Sequence, residues 1–169
     1  MSYRPICDVW LLARGAGSSG KKAFYGAYPS GFLRRAIDLV GSGKVCHLCS
    51  GSLENEPYTV DINPDCHPSF VEDARHTSFE SGVFDSVLID PPYSEEDAKR
   101  YGTGLPSMKD LLVEACRIVK PGGKVGLLHL LVPHIPKGFE QREVALIAVV
   151  CGCNQRIRVF TVLKRLTDD

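Results

Sequence analysis

Asp90-Pro91-Pro92-Tyr93 is the segment of this sequence whose residue types point most directly to chemistry. It follows Val87-Leu88-Ile89, an apolar run that suits the end of a buried strand. Two prolines fix the backbone and remove two N–H donors. Carbonyls are left free to accept, with a carboxylate on one side and an aromatic face on the other. These parts suit a planar base carrying an exocyclic amino group. Asp90 and the Pro91 carbonyl would accept its two N–H bonds, and Tyr93 would stack on the ring, worth about 1–3 kcal/mol per base. Read without a ligand, the same residues make a rigid strand-ending turn with a core tyrosine.

Upstream, three features recur at the ends of apolar segments. Cys49-Ser50-Gly51-Ser52 is a small-residue turn that lets a ligand approach the backbone. Asp61 suits a ribose diol, whose two hydroxyls one carboxylate can accept together. Asp73 could accept from an exocyclic amine. Taken singly, Asp61 reads equally well as a turn former before Asn63-Pro64, and Asp73 as a solvated acid or helix cap. Together they describe a nucleoside-containing ligand along the edge of a sheet, where open α/β folds bind theirs.

The elements that must hold these residues follow from periodicity. Residues 5–13, 44–49, 57–62, 70–71, 84–89, 124–132, 144–150 and 156–163 read as strands. Phe32–Val40 and 106–119 repeat apolar residues at three and four, as helices do. Ser94–Arg100 reads as a charged connecting segment, 133–138 as a loop, and Gly152–Asn154 as the turn of a hairpin. Near-continuous apolar strands imply burial on both faces and a mostly parallel sheet. The predicted fold is Rossmann-like α/β, doubly wound, with a mostly parallel seven-stranded sheet and a C-terminal antiparallel hairpin. Residues 1–169 form one domain in this reading, with the strand and loop of 1–31 packed on it.

The chain carries 20 Lys and Arg against 20 Asp and Glu. This balance argues against a polybasic membrane binder or a strongly basic nucleic-acid coat. The charges are grouped: an acidic stretch over 45–98 lies between basic flanks. Arg156, Arg158, Lys164 and Arg165 are either a solvated strand face or, with Lys21, Lys22, Arg34 and Arg35, a phosphate-binding surface. The seven cysteines sit mostly in apolar runs, which favours reduced thiols and a cytoplasmic protein. No apolar run is long enough for a membrane span. Cys46 and Cys49 form a C-x-x-C but straddle the glycine turn, so no metal is expected. His129 reads as a core histidine.

With these residues in view, the sequence resembles the class I S-adenosylmethionine-dependent methyltransferases, specifically the amino-methyltransferases with a D/N/S-P-P-Y/F motif. DNA adenine-N6 and cytosine-N4 enzymes carry it, as do some RNA base methyltransferases. The likeness runs roughly from Phe24 to Leu166. It implies S-adenosyl-L-methionine as cofactor and Asp90, Pro91, Pro92 and Tyr93 as the catalytic tetrad. The stretch His47 to Ser52, with His47, Cys49, Gly51 and Ser52 as contacts, is similar to the first cofactor motif. Asp61 with Ile62 matches the ribose site, Asp73 with Ala74 the adenine site, and Tyr25 with Gly26 the methionine end. The family usually has an acid where His47 stands and a second glycine where Leu53 stands. Its DNA enzymes usually carry a target-recognition domain, for which only the loops at 14–30, 94–106 and 133–142 remain here. The resemblance implies methylation of adenine N6 in DNA, with an RNA base or a catalytically silent nucleic-acid-binding module as alternatives. A homodimer or a separate specificity partner would supply the missing recognition surface.

Overall fold

The computed structural model describes residues 4–13, 28–140, 143–151 and 157–167. Strands β1 (Ile6–Leu12), β2 (Val45–Leu48), β3 (Thr59–Asp61), β4 (Phe70–Val71), β5 (Phe84–Ile89), β6 (Val119–His129), β7 (Ala145–Cys151) and β8 (Ile157–Lys164) form one sheet. Their order is β1-β7-β8-β6-β5-β2-β3-β4. Only β8 runs antiparallel to its neighbours, β6 and β7. The sheet therefore has eight strands, not seven. The N-terminal segment does not merely lie on the sheet; Ile6 to Leu12 pair residue for residue with Ala145 to Cys151 in parallel.

Alternation along β5 explains why the sheet needs cover on both sides. Val87 and Ile89 point into one core with Leu111, Leu112, Ala115 and Ile118 of helix α3 (Met108–Ile118). Leu88 points the other way, into a core with Phe32, Ala36 and Val40 of helix α1 (Phe32–Val40). The three α1 residues lie four apart, a single helical stripe. From Ser86 onward no face of β5 is left for water, as the apolar run Val87-Leu88-Ile89 implies.

Two connections depart from expectation. Ser94–Arg100 is not merely a charged stretch: Glu95–Arg100 is a short helix, α2. Ser94 accepts from the Asp97 N–H, with three acids in the first turn and Lys99 and Arg100 in the last. That charge order favours the helix dipole. Strand β6 also begins earlier than expected, at Val119. Phe84 pairs with Val119 and Ser86 with Lys124, so Pro121-Gly122-Gly123 is taken up as a bulge. Among the described residues, the helical element between β2 and β5 is a single 3₁₀ turn at Pro64–Cys66. Residues 130–140 form no helix. The turn expected at Gly152–Asn154 lies outside the described residues.

The sheet's outer edges are short or capped. β4 has two residues. In β1, the Ile6 N–H donates to Val144, so alternate N–H groups, Val9 among them, face away from β7. Asp8 accepts that Val9 N–H at 2.8 Å and the Trp10 indole N–H at 3.1 Å.

Packing is tightest where β6 crosses β8. A Cβ on Gly126 would lie 2.6 Å from Phe160 Cζ and 2.8 Å from Leu88 Cδ2. Both neighbours are fully enclosed and cannot give way cheaply. Gly126→Ala is expected to destabilise the fold by about 1–3 kcal/mol, read as a lower urea midpoint at unchanged m-value.

Candidate active site

Three parallel strands end side by side, and each delivers one part of the site. After β2 the chain turns sharply through Cys49 (φ 55°) and Gly51 (φ 52°). The turn is held by Asp61 at the end of β3. One Asp61 oxygen accepts the Gly51 N–H at 2.9 Å; the other accepts the Asn63 N–H, also at 2.9 Å. Asp61 is thus both the turn former and a wall of the site. Each carboxylate oxygen has two lone pairs, so acceptor capacity remains for a ligand. After β5, Asp90 is tied back to β2 by its N–H to the Leu48 carbonyl at 3.3 Å.

These ends open on a cavity of about 340 Å3, within the usual size of small-molecule sites. Cys49, Gly51, Asp61, Ile62, Asp73, Ala74 and all four of Asp90, Pro91, Pro92 and Tyr93 line it. His47 and Ser52 do not. His47 is fully buried on β2, its ring edge-on to Tyr28, and desolvation lowers its pKa to about 4. It is a neutral core imidazole, and strand alternation turns it away from Cys46 and Leu48. Tyr25 and Gly26 lie outside the described residues. Tyr28, just beyond them, stacks on Phe32, and its hydroxyl is buried without a hydrogen-bond partner.

The acids differ in state. Asp73 is clamped by Arg75 through contacts of 2.6–3.1 Å and lies below the usual carboxylate range because of that hydrogen bonding. Asp90 goes the other way. Burial raises it to about 6, against the opposing pull of the Tyr93 hydroxyl and the Arg158 charge. The Tyr93 hydroxyl donates to Asp90 Oδ1 at 2.5 Å, leaving Oδ2 open. His129 packs edge-to-face on Tyr93 at 5.4 Å.

Several cavity residues were not singled out by sequence. Asn63, Tyr101 and the 103–106 stretch form a wall opposite the turn, fastened by the Asn63 amide to the Tyr101 carbonyl at 3.3 Å. The cap of α2 at Ser94 was the available signal for that wall. Arg158 also lines the cavity and is not part of a solvated basic face. Its expected companions diverge: Lys164 pairs with Glu140, and Arg165 binds the carbonyls of Arg117 and Val119. Lys21, Lys22 and Arg156 lie outside the described residues. Among the described residues no three His, Cys, Asp or Glu side chains converge as a metal set. No described helix is long and apolar enough to cross a membrane.

The fold has counterparts among solved structures. No protein-family model and no curated protein matches the sequence. TrmN from Thermus thermophilus superposes with a TM-score of 0.60 at 20% identity, over 84% of this chain and 50% of that one. The chain thus spans about half the length of the Thermus protein. The complex between the Haloferax volcanii Trm112 methyltransferase activator and a methyltransferase gives 0.56 at 12% identity, covering 81% and 89%. Geranyl diphosphate C-methyltransferase from Streptomyces coelicolor A3(2), solved with S-adenosyl-L-homocysteine, gives 0.56 at 10%, covering 81% and 77%. The fold is that of the class I S-adenosylmethionine-dependent methyltransferases. At these identities the likeness is one of architecture.

The raised Asp90 has a consequence for stability. Because its pKa moves from 3.8 to about 6 on folding, the folded chain binds the extra proton between those values. Its contribution falls as pH rises through that window. Asp90→Asn keeps an acceptor for Tyr93 and carries no charge. It should match wild type in stability near pH 4 and exceed it at pH 7, by on the order of 2 kcal/mol, in urea titrations at both pH values.

Proposed function

We propose that this chain is an S-adenosylmethionine-dependent methyltransferase that acts on the exocyclic amino group of a nucleic-acid base, adenine N6 in DNA before any other. The observation that carries this reading is that Asp90-Pro91-Pro92-Tyr93 shares one cavity with Cys49, Gly51, Asp61 and Asp73. A site for a nucleoside-bearing cofactor and a set of acceptors for an amine thus adjoin.

The donor set fits the cofactor. Gly51 offers a close approach of backbone, Asp61 has lone pairs left for a ribose diol, and Asp73 with Ala74 suits an adenine. Tyr25 and Gly26 are assigned to the methionine end on resemblance alone. When bound, S-adenosylmethionine supplies a strongly electrophilic sulfonium methyl group.

The chain's own contribution is to the amine. An exocyclic amine is a poor nucleophile because its lone pair is delocalised into the ring. Hydrogen bonds from its two protons to Asp90 Oδ2 and the Pro91 carbonyl favour a pyramidal nitrogen whose lone pair leaves the ring plane. Holding that nitrogen in line supplies much of the remaining rate. A carboxylate near pH 6 also suits the proton released as the nitrogen gains its methyl group. Tyr93 offers the aromatic surface. A duplex substrate requires the base to leave the stack, at a cost of a few kcal/mol.

Target selection needs a surface beyond the cavity. We assign it to a second copy or a separate partner. The Haloferax volcanii complex shows a protein of similar fold bound to a separate activator chain.

Transfer of tritiated methyl from S-adenosylmethionine, with DNA and RNA offered separately, tests the reading. Nucleoside analysis should give N6-methyladenine from DNA. Label found only in RNA, or on guanine, rejects the DNA adenine assignment. Asp90→Ala should lower transfer about 10²–10⁴-fold, while calorimetry still registers cofactor binding.

A further inference from the structure

Arg158 enters the cavity from β8, on the far side of Tyr93 from the cofactor turn. Its Nη2 donates to Cys151 Sγ at 2.8 Å, and its Nη1 lies 3.5 Å from the Tyr93 hydroxyl oxygen. Among the described residues no carboxylate stands within ion-pair distance of it. A guanidinium can only donate. The Tyr93 oxygen therefore accepts from Arg158, and the single Tyr93 proton is directed to Asp90 Oδ1. We propose that Arg158 is a positioning residue: it fixes the direction of the Tyr93–Asp90 hydrogen bond, so that Asp90 remains a charged acceptor with Oδ2 open to the target amine. The inference rests on the reading of Asp90 as that acceptor.

The surroundings of Asp90 leave this task to Arg158. Tyr93 faces it from its own loop, Tyr28 from ahead of α1, Cys49 from after β2, and Tyr101 from after α2. Burial raises all four, Tyr101 to about 12, so none carries charge at neutral pH. Arg158 is the cation of the set. Without it the Tyr93 hydroxyl is free to turn, and Asp90 takes a proton. A protonated carboxyl then presents a donor where the amine requires an acceptor.

The test is a carbon-detected NMR titration of the Asp90 carboxyl in the cofactor-free protein. Arg158→Met should move its midpoint up by at least about one pH unit, and Arg158→Lys by less. Should Arg158→Met fail to fold, Arg158→Lys carries the comparison. In a Tyr93→Phe background the Arg158 shift should shrink, because the relay is already cut. An unmoved midpoint overturns the proposal. So do fully additive shifts, since Arg158 would then act by charge alone. The acid limb of kcat for methyl transfer should follow the same displacement. A displaced midpoint in a protein that methylates no base upholds the relay and rejects only the functional reading; active transfer with an unmoved midpoint rejects the relay alone.

Discussion

From Ser86 onward strand β5 has no face exposed to water, and this constraint organises the molecule. Its side chains alternate between two dry cores, one under α1 and one under α3. Polar groups along the strand are kept only with partners: buried Ser86 donates to the Gly41 carbonyl, and half-exposed Asp85 accepts the Lys44 N–H and pairs with Lys120. The polar groups that line the cavity stand where this strand stops and at the ends of β2 and β3 beside it. Asp61 and Asp90 stand at such ends, and parallel pairing in register brings those ends together. The site is a by-product of burial before it is anything else.

That same logic sets what was legible in the sequence. The apolar runs and the residues that close them were readable, because an unbroken run of Val, Ile and Leu has few fates. Helices α1 and α3 were readable because Phe32, Ala36 and Val40, or Leu111, Ala115 and Ile118, repeat at helical spacing. Helix α2 was not, since its six residues bury only Ala98 and offer no stripe. Its evidence lay in capping and charge order. The Pro121-Gly122-Gly123 bulge was hidden for another reason. Pro-Gly-Gly signals a chain break locally, while the pairing of β5 with β6 on either side carries the strand through it.

Single residues were harder to assign than motifs. His47 sits beside the Cys49–Ser52 turn in sequence yet faces away from the cavity, because adjacent strand residues point to opposite sides. Arg158 lies 65 residues from Tyr93 in the chain and beside it in space. No local pattern announces such a neighbour. Asp73 and Asp90 look alike in sequence, but one is clamped by Arg75 and the other enclosed with a phenol. Both partners are local in sequence; the contrast in ionisation comes from the burial that the fold imposes on Asp90.

Asp8 gives the sheet a property that its function does not require. An edge strand offers a row of free donors to any extended chain that passes. In β1 the central outward donor is already spent on the preceding side chain. At the opposite edge, β4 offers only two residues. Addition of a further strand is thus opposed at the centre of one edge by a side chain and at the other by shortness.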